Sequence, residues 1–137
     1  MNSAIDFHDS DISQIQETGR CVFVEFAPAY VHKSEGRPGI DTGTGWLQDA
    51  RLTLTGASVS GNRPLLPESL WDGSLQVGGQ KHNNVFPTPI PAVGPVVLNL
   101  VFASGHEVVV SGEAVELEWI GEATYVEEVA GCNGPAF

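Results

Sequence analysis

Basic side chains are scarce in this 137-residue chain: six Lys and Arg stand against seventeen Asp and Glu, a net charge of −11. A field of that sign repels phosphate backbones and anionic lipid. Nucleic-acid and membrane-surface roles are therefore not expected; such a field favours a basic partner, and acidity is equally an ordinary route to solubility alone. Cysteine is rarer still. Cys21 sits in an apolar run and Cys132 in a glycine-rich tail, so both read as reduced thiols of a cytoplasmic protein, with a pairing between them left open. The start, Met1-Asn2-Ser3-Ala4-Ile5-Asp6, lacks the basic residues and apolar run of a secretory signal. Residues 83–105 carry no charged side chain, which suits a membrane span in length, but Pro87, Pro89, Pro91 and Pro95 exclude a regular spanning helix.

Long helical periodicity is also missing; what is present is alternation with a period of two, punctuated by turns. Ile12 to Glu17 and Arg20 to Phe26 flank Thr18-Gly19 as a hairpin. "CVFVEF" is apolar at nearly every position, as in a strand covered on both faces. "RLTLTGASV" turns Leu52 and Leu54 inward, with Arg51, Thr53 and Thr55 outward. Residues 34–45 read as one long glycine-rich loop, "PESLW" as the single helical turn, and "FPTPIPAVGP" as an extended crossover. The last third predicts a three-strand meander in which Leu98, Leu100, Phe102, Val115, Leu117 and Trp119 are core. Together these elements predict an all-β fold: one antiparallel β-sandwich or partly open barrel of about eight strands, with at most one short helical turn. The domain is expected over residues 1–130, with 131–137 as a flexible tail.

Asp41-Thr42-Gly43-Thr44 spells the tetrapeptide that aspartic proteases set around a catalytic carboxylate. In those enzymes a hydrophobic strand runs into the aspartate; here the approach is Ser34-Glu35-Gly36-Arg37-Pro38-Gly39-Ile40. The expected role of Asp41 is instead to order the loop by accepting bonds from nearby backbone N–H groups. His8, His32, His82 and His106 are widely spaced, with no His-x-His pair to chelate an ion, and Asp6, Asp9 and Asp11 lack the glycine and distal glutamate of a calcium loop. No metal and no cofactor are expected. Glu116 and Glu118 share a strand face but alternate with apolar residues, so they read as a solvated face pairing with Arg51. Loops as long as the glycine segment are usually functional or disordered, which groups His32, Arg37, Asp41 and Trp46 as a candidate binding surface; the bland reading places Trp46 on the core.

The opening "DFHDSDISQI", leading through a hairpin into "VFVEF", resembles small bacterial β proteins that begin with a Phe/Leu-His-Asp-Ser/Ala element, some of them immunity proteins of toxin systems. The resemblance covers the first 26 residues through His8, Asp9 and Ser10. It implies a cytoplasmic β protein without enzymatic activity and brings no catalytic residue with it. Two expectations follow. The first is a non-catalytic protein-interaction module of the immunity type, with a basic partner. The alternative is a small-molecule-binding or hydrolytic β-barrel using His8, Asp9 and His32.

Overall fold

The computed structural model describes residues 1–90 and 93–131. These residues form eleven strands: β1 (Asn2–Asp6), β2 (Asp11–Thr18), β3 (Cys21–Ser34), β4 (Gly43–Thr55), β5 (Ser58–Gly61), β6 (Glu68–Val77), β7 (Gln80–Asn83), β8 (Val85–Thr88), β9 (Val96–Phe102), β10 (Glu107–Gly112) and β11 (Ala114–Val129). All pairings are antiparallel, there is no helix among the described residues, and the sheet does not close into a barrel. Eight strands follow one path, β11-β4-β3-β2-β6-β9-β10-β5; β1 adds to β3, β8 to β1 and β7 to β6. The strands beyond the expected eight are thus short additions to the ends of longer neighbours.

The first hairpin forms one residue later than predicted. Thr18 pairs with Cys21, leaving Gly19-Arg20 as the turn, and Gly19 takes the positive φ that a tight hairpin requires at its first central position. The long β3 binds β2 along its first half and β1 along its second, while β4 covers its other edge throughout. Near Gly56 and Gly112 two neighbouring chains change partners together. β4 pairs with β11 before this corner and β5 pairs with β10 beyond it. The Glu113 N–H bonds to the Thr55 carbonyl at 2.8 Å and ties the two crossings. The expected meander is therefore only half present: β9 and β10 pair, but β11 leaves to join β4.

One core fills the fold. Val22, Val24, Phe26, Leu52 and Leu54 from the β3–β4 side meet Leu75, Leu98, Leu100, Phe102 and Val108 from the β6–β9–β10 side, all at most 1% exposed. Phe7 sits among them, with ring centroids 5.1 Å from Phe86 and 6.2 Å from Phe26. Gly73 makes room for it, because a Cβ there would stand 2.6 Å from the Phe7 ring.

Four further expectations need correction. "PESLW" is strand, not a helical turn; five residues gain little as an isolated helix, whereas β6 pairs with β9 and buries Leu70, Leu75 and Val77. Residues 34–45 are not all loop, because β3 continues through Ser34 and β4 starts at Gly43. Val115 and Leu117 are only half-buried and Trp119 is 37% exposed, since β11 is an edge strand on the described sheet and an open cleft stands over this end. "CVFVEF" is likewise buried fully on one face only, through Val22, Val24 and Phe26. Residues 132–137 of the expected tail, including Cys132, lie outside the described residues; Cys21 is half-buried and has no disulfide partner among the described residues.

Candidate functional site

The candidate residues fall on two opposite faces of one part of the sheet. Directly paired residues share a face, so the register His32↔Gly45 and Val31↔Trp46 puts His32 on the outer face and Trp46 on the core-side face. The predicted group of His32, Arg37, Asp41 and Trp46 is thereby split.

On the outer face, Asp6 is the hub. Its Oδ2 lies 3.0 Å from His32 Nε2, and its Oδ1 accepts the His8 backbone N–H at 3.0 Å. Both side chains of the His32–Asp6 pair are largely buried. His32 Nδ1 is buried with no partner. The Asp6 carboxylate only accepts, so His32 donates from Nε2 and its imidazole proton there faces the carboxylate. Tyr30 stacks edgewise on His32 at 5.0 Å and donates its hydroxyl to Glu127 of β11 at 2.7 Å. Burial, followed by the bond to Glu127 and its charge, raises the Tyr30 pKa well above the usual phenol value. That ring fits because Gly45 beneath it has no side chain.

The His8 ring is engaged elsewhere. Its Nδ1 lies 2.7 Å from the Trp71 carbonyl and its ring meets the exposed Trp71 indole edgewise at 5.1 Å. That carbonyl raises the His8 pKa, desolvation opposes the shift, and Asp9, Asp6 and Asp72 add to it. Asp9 is exposed in the turn after β1. The structure therefore joins His8 and His32 only through the Asp6 carboxylate. Among the described residues no three His, Cys, Asp or Glu side chains stand close enough to hold a metal ion.

The glycine loop, residues 35–42, folds across the same outer face. Asp41 Oδ2 accepts the Arg37 N–H at 2.7 Å and the Arg37 Nε at 3.4 Å, and these bonds lower its pKa. Ile40 and Asp41 N–H groups return to the Arg37 carbonyl. Asn2 Nδ2 donates to the Gly36 carbonyl, pinning the loop to β1. Gly39, at φ +83°, lies against Val85 and His32; a Cβ there would stand 3.5 Å from Val85 Cγ1. The Asp-Thr-Gly carboxylate is thus the acceptor that orders its own loop.

Trp46 occupies the core-side face, partly packed on the core. Its Nε1 donates to Thr44 Oγ1 at 2.8 Å, Lys33 Nζ stands 4.5 Å over its ring, and Tyr125 meets it edgewise at 5.4 Å. Val115, Leu117 and Trp119 share this face, paired with Leu54, Leu52 and Ala50. They line one wall of an open cleft of about 470 Å³, and Ser3, Thr88, Pro89 and Ile90 line the other. The cleft lies between β8 and β11, where the sheet does not close. β11 carries Glu116, Glu118, Glu122, Glu127 and Glu128 and no Lys or Arg, and Trp119, Tyr125 and Val126 are exposed along it. Arg51 stands opposite Glu118 in register but bonds Glu25 of β3 at 2.7 Å, so the expected pairing with the β11 glutamates does not form.

Sequence reasoning missed Asp6, Tyr30 and the Trp119–Tyr125 surface. Period-two alternation through Asn2–Asp6 was the available signal for Asp6; the others depend on pairings distant in sequence. Comparison with protein-family models, curated proteins and solved structures finds no match. No helix among the described residues is long and apolar enough to cross a membrane.

Proposed function

We propose that this protein is a non-catalytic interaction module that receives a basic protein partner on its β11 side, a cytoplasmic protein of the immunity type that its opening resembles. One observation carries the reading: a sixteen-residue edge strand with five glutamates, no basic residue and exposed Trp119, Tyr125 and Val126. Acidity alone serves solubility, but solubility does not call for exposed aromatic rings along the same strand as the charges. Aromatic side chains are enriched at the anchors of protein interfaces, and a ring of one charge sign steers a partner of the other.

The alternative, a ligand-binding or hydrolytic barrel built on His8, Asp9 and His32, has less support. The His8 ring serves the Trp71 carbonyl, and His32 serves Asp6.

Immobilised protein should capture strongly basic proteins from a lysate of its native cell. The triple variant Glu116→Gln, Glu118→Gln, Glu122→Gln should lose them at equal protein load. Capture that is indifferent to these three substitutions, or that shows no bias toward basic proteins, would sink the reading.

A further inference from the structure

Resting on that reading, we infer that the partner is held by strand addition: an extended segment alternating apolar and basic residues pairs with Ala114–Ile120 and lays its apolar side chains into the β8–β11 cleft. The register of β11 against β4 is unbroken from Ala114 to Ile120, and the first irregularity follows, between Ile120 and Thr124. This seven-residue stretch is long enough for an ordinary strand to add. β11 pairs only with β4 among the described residues, so its outer row of N–H and C=O groups has no sheet partner there.

Natural edge strands are usually blunted by lysine, proline, shortness or bulges. β11 has no lysine or proline, and its bulges lie beyond the regular stretch. Across the cleft stand Thr88, Pro89 and Ile90, and Pro89 has no N–H to donate to a ladder, so this side offers a wall rather than a second pairing edge.

The side-chain pattern names the occupant. Val115, Leu117 and Trp119 face the cleft, where Ile90 and Pro89 stand opposite. Glu116 and Glu118 alternate with them, in register with Thr53 and Arg51 on the opposite face, and Glu116 also borders the cleft. A strand laid beside β11 must match this alternation, with apolar residues toward the cleft and Lys or Arg next to the glutamates. A second copy of this chain is disfavoured, because antiparallel β11–β11 pairing would set glutamates against glutamates.

The test uses the full-length protein and a ten-residue peptide alternating valine and lysine. Three companions accompany it: one with glutamate for lysine, one with the same composition but its valines clustered, and one N-methylated at alternate backbone nitrogens. The alternating lysine peptide should bind, change the Trp119 fluorescence and protect Ala114–Ile120 amides from hydrogen exchange. The clustered and N-methylated peptides should bind at least tenfold more weakly, and the glutamate peptide not at all. Leu117→Asp, checked for an unchanged circular dichroism spectrum, should weaken the lysine peptide by a similar factor.

Equal binding of the N-methylated peptide, or protection at the 35–42 loop in place of β11, would overturn strand addition while leaving the interaction-module reading in place. Failure of every lysine peptide to bind would count against both. Concentration-dependent protection of β11 without any peptide would identify a second copy as the occupant and overturn the proposal.

Discussion

Asp6 and His32 meet across the β1–β3 pairing with 3.0 Å between carboxylate oxygen and Nε2, and the other oxygen of the same carboxylate holds the His8 backbone N–H. Asp6→Ala leaves the His32 Nε2–H without its acceptor at a largely buried position and turns the exposed His8 N–H over to water. The expected loss is about 1–3 kcal/mol of folding stability, the usual cost of stranding buried polar groups. Urea unfolding of the two proteins measures it, and a difference below about 0.5 kcal/mol, the range of ordinary surface substitutions, would show that water replaces the carboxylate.

Gly73→Ala should destabilise by about 1–3 kcal/mol through overpacking. The added methyl would stand 2.6 Å from the Phe7 ring and 3.0 Å from the Asn99 carbonyl oxygen, and Phe7 is fully buried. Phe7→Leu in the same chain should recover part of the loss. If the two changes simply added, the methyl would be straining the backbone and not the ring.

His8 should titrate above the ordinary histidine value of 6.5, since the Trp71 carbonyl and then the surrounding aspartates favour its protonated form. A raised folded-state pKa adds stability that is fully present below the unfolded value and fades as pH rises through the folded one. Imidazole proton resonances followed through pH 5–9 give the midpoint directly. Asp72→Asn should lower it; a midpoint at or below 6.5 would mean the carbonyl bond is not made in solution.

For Asp41 the sign reverses. Bonds from the Arg37 N–H and guanidinium depress its pKa, so its contribution is present above the unfolded carboxylate value and disappears as pH falls through the folded one. Asp41→Ala should leave the β-sheet circular dichroism unchanged and open the loop. An endoprotease specific for glutamate should then cut after exposed Glu35 several-fold faster than in the wild type. Equal cutting rates would show that Asn2 and Gly39 hold the loop without it.

Fold class was legible because alternation is local: Leu52 and Leu54, or Leu98, Leu100 and Phe102, reveal their buried face to any reader of period two. Partner choice was not. Nothing in "SGEAVELEW" distinguishes a hairpin back onto β10 from a corner that carries β11 to β4, since the deciding contacts are more than fifty residues away in sequence. The same limit governed the site. Asp41 bonds residues four positions off and its role could be reasoned out, whereas Tyr30 finds Glu127 across 97 positions. The Asp6–His32 pair fell between these cases, at 26 positions.

The pairing of β4 with β11 also sets an order in time. β2, β3 and β4 are adjacent in sequence and in the sheet, so they can associate as soon as residue 55 has been synthesised. The free side of β4, thirteen residues long, then waits for the last strand to be made. A chain arrested before residue 114 would present Leu52 and Leu54 beside an unpaired edge, the combination that recruits other chains. Ribosome-bound intermediates of this protein should therefore need protection until β11 emerges, and the stretch that completes the sheet is the one that would then be offered to a partner.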